Sequence, residues 1–518
     1  MPDLLSIYAE SQPDKPAVVD DRGSGDVVRW TYAELEAEAN RLGNALVSLG
    51  VTPGEKVVWC GPNSRQVAAV VNAARKAGAV AVPLNYRLTP DEALYVIDNC
   101  DASIAYVDAE HAPMFAALRD RLSKLRQVIV YGGTPPAGML GDDFVAGFSP
   151  KPPEEAEEEN AGATMIYTSG TTGKPKGAVR RGRPGDAAVV GLLGLIGYTP
   201  DDIYLTSGPL YHSGPGGFMG GALALGQTIV MQRKFDPEDW LRLVDTYRVS
   251  STFSAPALIR MVCSLPPDVK ARYKRSSMKR MIANAAPWSF TLKQQYLADF
   301  PEDSLWEVYG STELGVNCVL EPKDQLRKPG SCGKPAPGVE VRLFDATGTE
   351  VTGTGPDHPG ELFVRSTVVF DEYYKRKQSY DAARRGDFHT VGDIAYRDDE
   401  GYYYICDRKN DMIITGGMNV YPAEIEAVLE QHPAIYEAAV FGIPSDEWGE
   451  AVHATVVPRP SASLSEEDVM SFSREHLAGY KTPRSVSFAD ELPRTGSGKI
   501  LKRVLRAPYW VGQGAQVS

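Results

Sequence analysis

The stretch YTSGTTGKPKGAVRR, Tyr167 to Arg181, places three glycines, four Ser or Thr hydroxyls and two lysines within the eleven residues Thr168–Ala178. Missing side chains let backbone N–H groups approach an anion closely, hydroxyls add donors, and lysines add positive charge. The chemistry is that of a polyphosphate cradle. It is not the G-x-x-x-x-G-K-[ST] loop, since GTTGKP has two residues between its glycines and Pro175 after Lys174. A plain hairpin tip remains the competing reading of these residues.

On either side of this loop, helical patterns such as TYAELEAEANRLGNALVSLG and SRQVAAVVNAARKAGA alternate with short apolar runs such as KVVWCG and AVAVPL. That alternation predicts parallel α/β layers in a doubly wound sheet. A Pro/Gly and acidic connection, residues 132–160, leads into the loop, and a second α/β set is expected from there to about Phe300. From Lys328 the text becomes short strands with Gly/Pro turns, GVEVRLFD, GELFVRS and GYYYICD, which predicts a small β-rich unit. The remainder reads as a separate α+β domain, with the boundary at Asn410.

At 518 residues the chain exceeds one core. A net charge of -13 argues against a nucleic-acid surface. Six scattered cysteines and seven dispersed histidines show no zinc spacing and fit a reduced cytoplasmic setting. The longest apolar run, AAVVGLLGLIGY, is shorter than the roughly 20 residues of a membrane span. Peripheral membrane contact and a homodimer stay open.

Five further stretches follow the loop: PLYHSGPGG (209–217), NAAPW (284–288), EVYGSTE (307–313), HTVGDIAYRDDEGYYYICDRKND (389–411) and LPRTGSGKI (492–500). In this order the set resembles the motifs of the adenylate-forming superfamily of acyl-CoA synthetases, adenylation domains and luciferases, with bacterial fatty-acyl-CoA synthetases nearest. The resemblance spans essentially the whole chain. It implies a large domain, residues 1–409, of two doubly wound α/β subdomains plus a β-barrel-like subdomain, and a mobile α+β lid, residues 410–518, that carries the catalytic lysine.

The resemblance also implies the site. Thr168, Ser169, Gly170, Thr171, Thr172, Gly173 and Lys174 would hold the β- and γ-phosphates of ATP. Tyr309 would stack on adenine, with Ala285 and Ala286 along its edge. Thr312 would meet the α-phosphate, Glu313 would ligate Mg²⁺, and Asp393 and Arg408 would hold the ribose. His212 would border the carboxylate substrate, unless it is a packing histidine on a glycine-rich turn. Lys499 would bridge the attacking carboxylate and the α-phosphate, and a cation between two anions at about 4 Å is worth roughly 4 kcal/mol at an effective dielectric near 20. Asn410 would be the pivot of the lid. Gly416 and Gly417 would line the thiol tunnel, and Trp448, Tyr480 and Arg484 would meet CoA. The sequence departs from the family in Val391 for the usual Thr, in NAAP for a Gly-containing version, and in Asn410 for Asp or Lys.

The activity implied is ATP- and CoA-dependent acyl-CoA synthesis from a small-molecule carboxylate, or alternatively acyl transfer to a carrier protein or an amine. A luciferase-like oxygenase would share these motifs. A non-catalytic binding protein is disfavoured because Lys499, Glu313 and Asp393 are all present. Amino-acid-loading relatives would have Asp where His212 stands. In HSGPGGFMGGALALGQ, Gly217 and Gly221 fall four apart on one face of an expected helix over 218–225. Each interior glycine costs a helix up to about 1 kcal/mol against alanine. Either close packing on a strand or a roomy acyl pocket for a medium- or long-chain or bulky acid would compensate.

Overall fold

The computed structural model describes residues 3–23, 25–154, 163–168, 174–181, 186–284, 286, 288–409, 411–416, 418–460, 462–494 and 500–511. Two large sheets form the body of the protein. In the seven-stranded sheet, Lys56–Cys60, Val80–Leu84, Ala102–Asp108 and Gln127–Tyr131 run parallel, and the hairpin Thr164–Thr168/Lys176–Arg180 closes one side. The nine-stranded sheet is built around parallel Ile203–Thr206, Thr228–Met231, Ser251–Ser254, Arg280–Ala283 and Leu305–Ser311. Val, Ile and Ala make up most of the four parallel strands of the first sheet, which are buried along nearly their whole length and so fit burial on both faces.

Five helices position the site: α1 (Leu4–Ser11), α2 (Tyr32–Ser48), α3 (Arg65–Lys76), α4 (Ala187–Ile196) and α5 (Ser213–Ala224). Helix α2 opens with a capping box, Thr31 and Glu34 each bonding the other's backbone N–H. Leu35, Leu42 and Leu46 of α2 and Val67, Val70 and Ala74 of α3 share one core with Trp59 of the first sheet and Ile229 of the second. These helices therefore lie between the sheets. Other helices cover the outer faces, with Val96 and Phe115 on the first and Trp240 and Leu292 on the second.

One element departs from the sequence expectation, and another is not read from the sequence at all. The loop quoted above does not open the second α/β set: it joins two strands of the first sheet. The N-terminal strands Pro16–Asp21 and Val27–Thr31 cross to the second sheet, where Pro16–Asp21 pairs in parallel with Thr228–Met231. Parallel pairing requires a crossover, and short apolar runs do not state which neighbour they will find.

The β-rich unit is a six-stranded sheet containing Glu340–Phe344, Gly360–Arg365, Asp393–Arg397 and Tyr403–Arg408. The chain leaves it at Arg408 and enters a five-stranded sheet at Ile413, within which Ile435–Ser445 and Gly449–Pro458 pair antiparallel over a core of their own. Arg260 of the large body contacts this smaller unit, donating to the Tyr436 carbonyl at 2.9 Å and facing Glu430 at 3.7 Å. Among the described residues, no helix is long and apolar enough to cross a membrane.

Candidate active site

One cavity of about 2420 Å³ lies between the two sheets and reaches the smaller unit. Its polar end is built by turns and strand ends. Thr168 closes its strand with Oγ1 donating to Glu313 Oε1 at 2.9 Å, and Tyr373 Oη donates to the same oxygen at 2.9 Å. Glu313 is 8% exposed. Two hydroxyls thus fix a buried carboxylate, which offers oxygen of the hard kind that Mg²⁺ takes, so the donor set fits that ion.

Glu313 sits in the tight turn between antiparallel Leu305–Ser311 and Gly315–Leu320. Gly310 faces the Gly315 backbone carbonyl with no room for a Cβ, which is why this turn needs glycine there. At the turn, Thr312 Oγ1 shares a hydrogen bond with Ser213 Oγ at 2.8 Å, and Arg180 holds the Thr312 carbonyl at 2.7 Å. Tyr309, before the turn, donates its hydroxyl to Asp393 Oδ2. Antiparallel register sets Asp393 opposite Arg408, and Arg408 Nε lies 3.4 Å from Asp393 Oδ1. Gly310–Glu313, Val391, Gly392 and Arg408 form the cavity wall beside this pair.

His212 is the N-cap of α5, its ring 4.4 Å from that of Tyr211, and both line the cavity. The helix starts at Ser213, five residues before the expected start, and holds five glycines. They divide into two kinds. A Cβ on Gly214 would collide with the Phe253 ring, and one on Gly216 would stand 2.6 Å from the Leu210 carbonyl. At Gly217 and Gly220 a Cβ would meet nothing within 4 Å, and at Gly221 only Leu193 Cδ2 at 3.9 Å. The first pair permits close packing. The second group lines open space, so close packing does not account for Gly217 and Gly221.

From His212 the cavity continues along α5 and α4, where Leu192 and Leu193 line it, to Val67 and Val71 of α3. Arg494 lines it from the smaller unit, at the bridge between Arg494 and Ile500. Gly416, at φ +56°, lies against Trp448 and donates its N–H to the Trp448 carbonyl at 2.8 Å. Arg484 stacks over the Trp448 ring at 5.7 Å, and Tyr480 lies under Lys481 at 5.6 Å. This cluster is on the smaller unit and is not part of the cavity wall among the described residues. Lys174 is exposed, over the Tyr95 ring at 5.2 Å, and Ala286 lies in the bend two residues past the cavity-lining Asn284.

Ser169, Gly170, Thr171, Thr172, Gly173, Ala285, Asn410, Gly417 and Lys499 lie outside the described residues. Sequence reasoning missed Arg180, Ser213, Tyr373 and Arg494. A basic residue after the glycine loop could have pointed to Arg180, whereas Tyr373 arrives only because Glu372–Tyr373 pairs with the hairpin strand Lys176–Arg180. It also missed Asp407, whose carboxyl burial pushes up to about 6 against the pull of Lys502. That carboxylate accepts the N–H groups of Arg408 at 2.7 Å and Ala423 at 3.0 Å, tying together the two sides of the change of sheet.

Comparison with known proteins gives this arrangement a family. The profile described as AMP-binding enzyme matches residues 5–374, and the AMP-binding enzyme C-terminal domain matches residues 424–499. The chain belongs to the AMP-binding enzyme family. It is an adenylate-forming ligase, as the order of motifs leads one to expect. It is 35% identical over 486 residues to a feruloyl-CoA synthase of Amycolatopsis sp, covering 92% of this chain and 94% of that one. It is 33% identical to the long-chain-fatty-acid–CoA ligase FadD13 of Mycobacterium tuberculosis, with 93% of each chain covered. The crystal structure of ATP-bound MatB from Rhodopseudomonas palustris superposes with a TM-score of 0.85 at 29% identity over 98% of both chains.

Proposed function

We propose that this AMP-binding enzyme is an acyl-CoA synthetase that uses ATP and CoA to activate a medium- or long-chain or bulky carboxylic acid through an acyl-adenylate. The acid's oxygen attacks the α-phosphorus, the bond to the β-phosphate breaks, and pyrophosphate leaves. The CoA sulfur then attacks the acyl carbon, and AMP departs with the oxygen. The observation that carries this reading is the continuity of one cavity from Thr168, Glu313 and Arg408, past His212, onto the open glycine face of α5 and the apolar wall of α4 and α3.

Each residue then has a task. Thr168, with residues 169–174, holds the β- and γ-phosphates, and Thr312, fixed by Ser213 and Arg180, offers its hydroxyl to the α-phosphate. Tyr309 stacks on adenine beside Ala285 and Ala286, and Asp393 and Arg408 take the ribose hydroxyls. Mg²⁺, when bound, neutralises phosphate charge, and Glu313 would hold it. His212 borders the acid's carboxylate. Lys499 bridges carboxylate and phosphate during the first half-reaction, which the position of Arg494 at the cavity supports. Rotation about Asn410 would then carry Gly416, Gly417, Trp448, Tyr480 and Arg484 toward the site for the thiol step.

Pyrophosphate release over a panel of straight-chain and aromatic acids, with and without CoA, tests the reading. CoA-dependent turnover with an acyl-CoA product supports it. Pyrophosphate release indifferent to CoA, with acyl-adenylate accumulating, would move the acceptor to a carrier protein or an amine.

A further inference from the structure

The far end of the cavity is charged, which is unexpected after an apolar corridor. Val67, Val71 and Arg75 lie four apart along α3 and all line the cavity, as do Lys76 and the α1 residues Leu4, Leu5 and Ser6. The open side of α5 from Ser213 to Ala224 adds a second wall roughly 16 Å long at 1.5 Å per residue. Both walls end at α1. One carboxylate, that of Asp3, fastens α1 there: Oδ1 caps the helix by accepting the Leu5 N–H at 3.0 Å and also accepts from Arg75 Nη2 at 2.5 Å. Its other oxygen, Oδ2, faces Lys76 Nζ at 2.5 Å. Lys76, with its side chain 5% exposed, in turn reaches Glu36 of α2 at 2.8 Å and Ser6 at 3.3 Å. Burial alone would raise the Asp3 carboxyl, yet Arg75 and Lys76 hold it down at about 2.

Besides the clasp, α1 is held by Ser6 Oγ donating to Glu36 Oε1 at 2.8 Å and by a small apolar contact with the core. It is eight residues long, too short to be stable alone, and Leu5 is its one buried side chain, while Leu4 is 44% and Ile7 38% exposed. Tyr8 adds a ring contact to Tyr32 at 5.5 Å. A weakly buried helix with a half-buried ionic clasp across the end of an apolar corridor is a stop whose position is set by charge, because losing one partner leaves the others unpaired where water reaches them only in part.

We propose that α1 is the end wall of the acyl corridor and that the clasp of Asp3, Arg75, Lys76 and Glu36 sets the longest acid the enzyme accepts. This rests on the acyl-CoA synthetase reading above, with α5 lining the acyl site. Asp3→Ala frees α1 and extends the corridor to the surface. Val71→Trp narrows the corridor before the clasp.

The test is kcat/KM by pyrophosphate release for straight-chain acids from hexanoate to docosanoate, in wild type, Asp3→Ala, Asp3→Glu, Arg75→Gln and Val71→Trp. Asp3→Ala and Arg75→Gln are expected to raise the ratio of the longest acids to octanoate about tenfold, Val71→Trp to lower it about tenfold, and Asp3→Glu to stay near wild type. Opposite shifts from the two kinds of change are not produced by general loss of stability, and melting temperatures serve as the control. If wild type accepts long acids and the length profile is the same in every variant, or all acids fall together in step with the melting temperature, the clasp proposal is overturned alone. A wild-type enzyme that turns over aromatic but no straight-chain acids overturns the chain-length reading of the acyl site as well.

Discussion

At the scale of single residues, the site is a set of hydroxyls and carboxylates held in place by neighbours from distant parts of the chain. Glu313 is fixed by Thr168 and Tyr373, 145 and 60 positions away. Glu313→Gln keeps the shape but removes the charge, and it should lower adenylation by at least about 10², the usual effect of losing an electrostatic partner of the transition state. Single-turnover formation of acyl-adenylate would check this. The glycines of α5 give a sharper pair of outcomes. Gly221→Ala should raise the melting temperature, since the site has space and alanine favours a helix by up to about 1 kcal/mol. Gly216→Ala should lower it, because the new Cβ would press on the Leu210 carbonyl. Gly217→Leu or Gly221→Leu should shift turnover toward short acids while ATP affinity stays level. A uniform loss over all acids would remove these glycines from the acyl site.

At the scale of elements, hydrogen bonding and titration bear on how firmly the smaller unit holds its own structure. The strand Gly449–Pro458 places His453 in a buried position, bonded to Ser485 Oγ at 2.7 Å and Ser487 Oγ at 3.0 Å on its parallel neighbour. Burial lowers its pKa from 6.5 to about 4, with Glu466 opposing the shift. A histidine depressed in the folded state binds its proton more readily when unfolded, so stability is lost as pH falls from about 6.5 toward 4. Two carboxyls of the same unit, Asp407 at about 6 and Glu430 at about 7, push stability the other way over that window, so the test is the difference: melting temperatures should drop further, or rise less, for the wild type than for His453→Gln. Equal slopes would show that His453 does not carry the effect. The elements were the most readable part of the sequence: α2 and α3 occupy the stretches whose apolar spacing predicts them, and the capping box of α2 is written in Thr31 and Glu34. The exception is α5, where glycines hid the first turn of a helix that starts at Ser213, because helix propensity there is overridden by packing of Gly214 and Gly216.

At the scale of the molecule, two units meet through Arg260, Tyr436 and Glu430, with Arg494 of the smaller one at the cavity. The proposed alternation of units predicts that Lys499→Ala will cut adenylation by roughly 10² to 10³ and leave thioester formation from supplied acyl-adenylate much less affected. Separate assays of the two half-reactions decide it, and an equal fall in both, with the fold intact, would sink the alternation. The sequence by itself determined the class of fold and the family, because local periodicity and short motifs are properties of neighbouring residues, and it nominated the loop and the side chains on which the proposed function rests. Tertiary structure alone decided that the loop belongs to the first sheet, that the N-terminal strands join the second, and that Tyr373 and Ser213 meet Glu313 and Thr312. It also decided that Gly217 and Gly221 face open space while Gly214 and Gly216 face packed atoms. The physical reason is the same in each case: strand pairing and the filling of space depend on atoms far apart along the chain, and no local pattern of residues specifies which of them will touch.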